Sequence, residues 1–126
     1  MKKKINTQNA PGAIGPYSQG VEIDQLVYTS GQLGMDPATG ILADGVAAQT
    51  ARALENIKNI LAEAGLTMDD IIKTLVFVTD MGAFATVNEV YGQYINGDIL
   101  PARSCVEVSR LPKDALVEIE VIAKKH

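Results

Sequence analysis

The stretch Ile71-Ile72-Lys73-Thr74-Leu75-Val76-Phe77-Val78-Thr79 decides the fold of this chain. Its residue types are typical of a strand. Apolar residues fall on both parities of the stretch, with Ile72, Val76 and Val78 on one and Ile71, Leu75 and Phe77 on the other. Because successive side chains of a strand point to opposite faces, this pattern predicts a strand that is buried on both faces.

A helix is predicted on each side of this strand. The first helix has Asp44 placed to cap its start and Gly65 to end it. Its apolar positions recur at helical spacing, at Val46, Thr50, Ala53, Leu54, Ile57, Leu61 and Ala64. The second helix is marked by Phe84, Val87, Tyr91 and Tyr94. It ends at Asn96-Gly97-Asp98, which is a turn by residue type.

Further strands are predicted towards both ends of the chain. Residues 18 to 23 and 26 to 30 flank Asp24-Gln25 as a hairpin, and residues 36 to 40 form a turn by residue type. Two more strands, at about residues 103 to 108 and 116 to 123, close the chain. No internal repeat, low-complexity tract or linker interrupts this order of elements.

Side-chain alternation sorts the residues of the last two strands by face. On the first of these strands one face carries Val106 and Val108 and the other carries Arg103, Cys105 and Glu107. On the last strand one face carries Val117, Ile119 and Val121 and the other carries Leu116, Glu118, Glu120 and Ile122. We expect the wholly apolar sides to lie beneath the two helices.

The opposite face of the sheet is then left without a cover. On this interpretation it carries Arg103 and Glu118 among the side chains of Leu75, Phe77, Cys105 and Ile122. A face with so many apolar side chains is rarely left in contact with water. We therefore expect another copy of the chain to cover it.

The composition is that of one globular domain. With 126 residues, of which 47% are hydrophobic and 21% charged, the chain fits a single domain spanning residues 1 to 126. It has no apolar segment long enough for a membrane span and no signal-peptide pattern. The single cysteine, Cys105, cannot form an internal disulfide. We therefore expect a cytoplasmic protein that does not contact membranes.

The charges argue against a nucleic-acid partner. The formal net charge is -4 at pH 7. Five of the eight lysines lie at the two chain ends, namely Lys2, Lys3, Lys4, Lys124 and Lys125. Because nucleic-acid binding needs a basic face that displaces counterions from phosphates, the acidic body predicts no such binding.

The residue types present exclude several reaction classes. The only histidine, His126, is the last residue, so neither a Ser-His nor a Cys-His catalytic pair is expected. The sequence also lacks the soft ligands of a zinc site. Residues 12 to 15 precede Pro16 rather than a helix start, which argues against a phosphate-binding loop. Catalysis would therefore use arginine, carboxylate, tyrosine, serine and backbone groups, with no cofactor and no metal.

Several longer motifs resemble those of one protein family. They are, in chain order, Ala13-Ile14-Gly15-Pro16-Tyr17-Ser18-Gln19-Gly20, Thr29-Ser30-Gly31-Gln32, Phe84-Ala85-Thr86-Val87-Asn88, Pro101-Ala102-Arg103-Ser104-Cys105-Val106-Glu107-Val108, Leu111-Pro112-Lys113-Asp114 and Val117-Glu118-Ile119-Glu120. From about residue 5 to residue 123, the chain resembles the RidA subgroup of the Rid (YjgF-like) family. Several motifs in the same order make a chance match improbable.

The resemblance implies both a fold and an activity. The fold is α+β and chorismate-mutase-like, with a mixed six-stranded sheet and two helices packed on one face. Three such chains form a homotrimer with clefts between the subunits. The activity is that of a 2-iminobutanoate/2-iminopropanoate deaminase, which hydrolyses the reactive imines released by pyridoxal-phosphate enzymes to 2-keto acids and ammonia. The implied partners are therefore small-molecule 2-imino acids and further copies of the chain.

Arg103 and Glu118 are the catalytic residues that the resemblance implies. Arg103 matches the position whose guanidinium grips the substrate carboxylate, and a structural salt bridge is the alternative for this residue. Glu118 matches the carboxylate that orients or activates the water, and burial at a subunit boundary would raise its pKa. Glu120 has the same parity as Glu118 and is expected to face solvent or a neighbouring chain.

Five further positions complete the pocket by resemblance, namely Tyr17, Ser30, Gly31, Asn88 and Cys105. Tyr17 is expected to reach into the cleft of a neighbouring subunit. A purely structural hydrogen bond is an equal alternative for Ser30 and for Asn88. Cys105 has no basic partner for its thiol, so we expect only its backbone carbonyl to contact the water.

Two other functions compete with imine hydrolysis. A non-catalytic trimer that binds a small carboxylate, or a regulatory protein, would have the same fold. Glu118 discriminates between these functions, because a carboxylate binder needs Arg103 but no water-activating acid. A ribonuclease or translation-inhibitor function, which has been attached to relatives, is disfavoured by the acidic body and the lack of a catalytic histidine.

Overall fold

The computed structural model describes the whole chain, residues 1–126. It contains one mixed sheet of seven strands and two α-helices. The strands are β1 (Lys3–Ile5), β2 (Gly20–Ile23), β3 (Leu26–Thr29), β4 (Gln32–Leu33), β5 (Ile71–Val78), β6 (Ala102–Glu107) and β7 (Val117–Lys124). The helices are α1 (Val46–Glu63) and α2 (Phe84–Tyr94).

The sheet confirms the predicted α+β architecture with one short strand added. Six strands follow one another in the order β1-β2-β3-β7-β5-β6, and β4 pairs with β7 outside this path. Only β5 and β6 are parallel, because α2 lies in the connection between them. The two-residue β4 has no alternating pattern of its own and was not predicted; its two residues extend the edge along β7 beyond β3.

Both predicted helices form, and α1 ends at the predicted glycine. Gly65 has φ 79°, and the amide of Leu66 donates to the carbonyl of Leu61 at 2.9 Å, so the helix closes in a Schellman turn. The predicted cap at Asp44 is wrong. Gly45 occupies the cap position with φ 88° and no side chain caps the helix. This positive φ favours glycine, and the helix starts here without a side-chain acceptor.

The core lies between the helices and one face of the sheet. α1 contributes Leu54, Ile57, Ile60 and Leu61, each fully buried. The sheet contributes Val76 and Val78 of β5 and Val117, Ile119 and Val121 of β7. The wholly apolar side of β7 therefore lies beneath the helices, as its alternation predicts.

The central strand differs from its prediction at its N-terminal end. Its pairing with β7 shifts register between Ile71 and Lys73, so a bulge lies at Ile72. Relative to the alternation along the rest of β5, the bulge exchanges the faces of Ile71 and Ile72. Ile71 is buried, whereas Ile72 is 47% exposed. Parity counted across the whole stretch therefore fails at the bulge, although it holds from Thr74 onwards.

The faces predicted for β6 are reversed in the structure. β6 pairs in parallel with β5, with Arg103 opposite Thr74 and Cys105 opposite Val76. Thr74 and Val76 are buried beneath the helices, and paired residues share a face. Arg103 and Cys105 therefore lie on the helix side of the sheet. Alternation along β6 sorts its side chains into two sets, but only the pairing with β5 fixes which set faces the helices.

The other face of the sheet remains without a cover within this chain. We call it the open face. Leu75 and Phe77 of β5 are only partly buried there, and Val106 of β6 is 42% exposed. β7 places Glu118 opposite Phe77 and Glu120 opposite Leu75 on the same face. The prediction of an uncovered apolar face is therefore correct, with Val106 in place of Cys105 and without Arg103.

Candidate active site

The two residues expected to be catalytic lie on opposite faces of the sheet. Arg103 is opposite Thr74 on the helix side, whereas Glu118 is opposite Phe77 on the open face. Thr74 and Phe77 are three residues apart on β5, where the two faces alternate. One chain therefore cannot bring Arg103 and Glu118 onto the same small substrate.

Arg103 lies against one side of α2, where it contacts Phe84, Asn88 and Tyr91. Its Nη1 donates a hydrogen bond of 2.6 Å to Oδ1 of Asn88. Its guanidinium carbon lies 4.9 Å from the ring centre of Tyr91 and 5.4 Å from that of Phe84, within the range of cation-π contacts. Arg103 forms no ion pair in the chain. The structural salt bridge considered as an alternative is therefore absent, and further N–H donors of the guanidinium are available to an anion.

Glu118 lies in an open cleft on the other face. The cleft encloses about 580 Å³. The lining residues come from three segments, namely Pro11, Gly12, Ile14 and Tyr17 of the N-terminal segment, Ser30, Gly31, Gln32, Leu33 and Met35 around β4, and Pro112, Lys113 and Glu118. Burial raises the pKa of Glu118 above its usual value, and the neighbouring charge of Glu120 raises it further. A carboxyl group with a raised pKa exchanges protons near neutral pH more readily than a glutamate of ordinary pKa.

Gly31 is the residue that leaves space for the Glu118 carboxyl group. β3 and β4 pair with successive parts of β7, so Ser30 and Gly31 interrupt the ladder at this point. A Cβ atom at residue 31 would lie 2.7 Å from Cδ of Glu118 and would also overlap its Oε2. Close approach to the carboxylate therefore requires glycine at this position.

Ser30 and Asn88 both make structural hydrogen bonds within the chain. The hydroxyl of Ser30 donates to the carbonyl of Ser18 at 2.6 Å, which ties Ser30 to the segment that precedes β2. Asn88 accepts from Arg103 and so orients the guanidinium. Each residue therefore positions a neighbour, and the hydroxyl oxygen of Ser30 still has acceptor capacity towards the cleft.

Tyr17 and Cys105 lie in different environments. Tyr17 is 52% exposed and lines the same cleft as Glu118 of its own chain. Its reach into a neighbouring subunit stays a prediction. Cys105 is partly buried and packs against the core on the helix side, next to the strand position of Arg103. Burial raises the pKa of the Cys105 thiol, against a smaller lowering by Arg103, so the thiol is a weak nucleophile at neutral pH.

The sequence matches one protein family along nearly its whole length. The family model described as "Endoribonuclease L-PSP" covers residues 7–125. The chain belongs to this family. It is the family also known as Rid or YjgF-like, in agreement with the motif resemblance.

Individual Rid proteins are similar in sequence and in structure. The 2-iminobutanoate/2-iminopropanoate deaminase of Salmonella typhimurium is 54% identical, with all of both chains covered. The crystal structure of E. coli TdcF with bound serine superposes with a TM-score of 0.95 at 52% identity, covering 98% of this chain and 99% of that one. RidA from an Antarctic Psychrobacter superposes with a TM-score of 0.94 at 44% identity, covering 97% of this chain and 98% of that one.

Three buried amides that support this Rid site were missed from the sequence. Gln19 donates to the carbonyls of Thr7, Ala10 and Pro11 at 2.8 to 3.1 Å and accepts from the amide of Thr7 at 2.7 Å. Gln49 accepts from the amide of Leu116 at 2.8 Å. Asn56 donates to the carbonyls of Leu33 and Met35 at 3.1 and 2.9 Å. The only signal in the sequence is polar residues within otherwise apolar patterns.

Two further features of the chain concern metal binding and membrane spanning. No group of three or more histidine, cysteine, aspartate or glutamate side chains is close enough together to hold a metal ion. Neither of the two helices has the length and apolar character needed to cross a membrane.

Proposed function

We propose that this chain is a 2-imino acid deaminase, which hydrolyses reactive imines to 2-keto acids and ammonia. The observation that carries the proposal is the partly buried Glu118 carboxylate, which faces an open cleft without an ion-pair partner. A buried acid of this kind costs stability and suits proton transfer to or from water. The proposal agrees with the name of the Salmonella relative, which aligns over the full length.

The active site is composed of two subunits. Since Arg103 and Glu118 lie on opposite faces of one sheet, the arginine of one chain must meet the glutamate of another. The open face offers the contact surface, because Leu75, Phe77 and Val106 are only partly covered there. A homotrimer repeats this contact three times and closes the ring, which leaves no uncovered face.

The residues of this composite site have separate tasks in the reaction. Arg103 binds the substrate carboxylate through two parallel hydrogen bonds, with Asn88 holding the guanidinium in place. Glu118 accepts a proton from water as the water oxygen attacks C2 of the iminium ion. The same carboxyl group then returns the proton to the nitrogen of the tetrahedral intermediate. The carboxylate, ionised again, takes the proton of the new hydroxyl group as the carbonyl forms and the C–N bond breaks. This proton passes to the released ammonia, so iminium ion and water give keto acid and ammonium.

A coupled assay tests the proposed activity. A pyridoxal-phosphate dehydratase acting on threonine or serine generates the imine in place, and semicarbazide traps the imine that has not been hydrolysed. We expect the purified protein to raise keto-acid release and to suppress semicarbazone formation in proportion to its concentration. Equal semicarbazone formation with and without the protein, at several concentrations, would exclude the deaminase function.

A non-catalytic carboxylate binder is the second candidate function. The observation in its favour is that the similar E. coli structure contains bound serine, which is an amino acid carboxylate. The two functions differ in what they require of Glu118. If Glu118→Gln retains full keto-acid release, the carboxyl group is not needed for chemistry and the binding function is preferred. If the variant loses turnover and still binds 2-oxobutanoate, the deaminase function is preferred.

A further inference from the structure

Two consecutive residues next to the cleft have left-handed backbone conformations. Lys113 has φ 59° and Asp114 has φ 57°. Neither residue is glycine, and such a pair is uncommon because the Cβ atom crowds the backbone in this region. Strained backbone of this kind often accompanies function, so the side chain that the turn presents is of interest.

The turn is fixed at both ends by the core. Leu111 before it and Ala115 after it are buried. The amides of Asp114 and Ala115 donate to the carbonyls of Leu111 and Pro112, both at 3.1 Å. These anchors hold the backbone in its strained form, because relaxing it would expose the buried apolar groups.

One positively charged side chain of the turn, Lys113, has no partner in the chain. Arg110 forms a forked contact with Asp114 at 2.6 and 3.2 Å, so these two charges cancel. Lys113 has no hydrogen-bond or ion-pair partner in the chain. It is also the one basic residue among the twelve that line the cleft of Glu118.

We propose that the strained turn presents Lys113 as a cationic substrate-binding residue of the Glu118 cleft, which attracts and retains the carboxylate of the 2-imino acid. The chain carries a net charge of -4, and Glu118 and Glu120 both face the open side. An anionic substrate therefore meets a repulsive field on approach, and one ammonium group at the cleft offsets it. This role is additional to Arg103, and it rests on the proposed deaminase function.

The test compares Lys113→Gln with Lys58→Gln. Each substitution removes one positive charge, but Lys58 is an exposed residue of α1 outside this cleft, paired with Glu55. For Lys113→Gln we expect KM to rise about three- to tenfold and kcat to stay within about twofold, because only uniform binding is lost. The effect should shrink at about 0.5 M salt, where exposed charges are screened. For Lys58→Gln we expect parental values.

A third variant, Lys113→Gly, removes the charge and accepts the positive φ without strain. It should unfold at a higher temperature than Lys113→Gln and have the same raised KM. A binding measurement separates this inference from the deaminase function, since the affinity for 2-oxobutanoate should fall by the same factor as KM rises. Parental KM and parental affinity in both Lys113 variants would overturn the inference, as would an equal loss in Lys58→Gln. A parental protein that binds the keto acid but hydrolyses no imine would overturn only the deaminase function.

Discussion

The carboxyl group of Glu118 occupies the space that a side chain at Gly31 would need. A methyl group there would lie 2.7 Å from Cδ and 3.0 Å from Cγ of Glu118. Both distances are far below an ordinary carbon-carbon contact of about 3.5–4.0 Å. Gly31 therefore sets how closely the Glu118 carboxyl group can approach the backbone of the cleft. The position of this carboxyl group depends on a residue that has no side chain.

Gly31→Ala is the first prediction. The added methyl group displaces the Glu118 side chain, and a misplaced catalytic group costs about ten- to a hundredfold in kcat. The atoms that must move belong to the Glu118 side chain, which borders the open cleft, so we expect a loss of unfolding free energy of at most about 1 kcal/mol. Steady-state imine hydrolysis and denaturant unfolding measure the two effects. The matched control is Gly92→Ala, which adds the same methyl group to α2, where it meets no atom within 4 Å beyond its own turns of helix, and should retain activity.

The second prediction concerns the guanidinium of Arg103. Arg103→Lys retains the charge but loses the planar fork, so two aligned hydrogen bonds become one. We expect kcat/KM to fall about tenfold to a few hundredfold, which corresponds to about 1.5–3 kcal/mol. Arg103→Ala should be less active still. Asn88→Ala should show a smaller loss, because it removes only the 2.6 Å bond that orients the guanidinium. Parental rates in Arg103→Lys would show that this residue does not hold the substrate.

Mixing two inactive variants provides the third prediction. Arg103 and Glu118 lie on opposite faces of the sheet, so in the proposed composite site each cleft takes one of them from each of two chains. Random trimers of Arg103→Ala and Glu118→Gln, refolded together at equal amounts, should have about one quarter of their clefts intact. We therefore expect up to about a quarter of the parental activity to return. The separately refolded variants are the control, and a mixture as inactive as they are would contradict the composite site.

The fourth prediction is a pH dependence set by Glu118. Burial and Glu120 raise the pKa of Glu118, and the group must be ionised to accept a proton from water. Activity should therefore increase with pH on an acidic limb that lies above the usual range of a glutamate. Glu120→Gln removes the like charge and should move this limb to lower pH. A limb that does not move in Glu120→Gln would show that another group controls it.

The fourth prediction extends to stability, because the same raised pKa of Glu118 links folding to pH. A glutamate whose pKa is raised on folding resists ionisation, so the folded state loses stability as pH rises through the interval between its usual and its raised pKa. Glu118→Gln cannot ionise and should be the more stable protein at neutral pH. Below the usual glutamate pKa both proteins are uncharged at this position, and the difference should vanish. Thermal unfolding at several pH values measures it.

Cys105→Ala is the fifth prediction. The thiol packs against the core and its pKa is raised by burial, so it is poorly suited to act as a nucleophile. We expect the variant to keep most of the deaminase activity and to lose about 1 kcal/mol of unfolding free energy from the small cavity. Complete inactivation with the assembly intact, as judged by light scattering, would show that the thiol takes part in the reaction.

Local patterns in the sequence determined the elements of this fold. α1 is predicted from its apolar repeat and from Gly65, and both the repeat and the Schellman turn depend on residues only a few positions apart. The end of α2 and the hairpin at Asp24 follow in the same way. Arg103 and Glu118 were found through motifs, which place a residue type at a position in the chain without requiring a view of the fold.

Only the tertiary structure decided which face each of these residues occupies. Alternation along β6 separates Arg103 and Cys105 from Val106, but both sets are consistent with either face until β6 pairs with β5. The bulge at Ile72 cannot be predicted from side-chain alternation either, because it arises from the pairing of β5 with β7. The physical reason is that side-chain periodicity is a property of one strand, whereas facing and register depend on hydrogen bonds to residues distant in sequence.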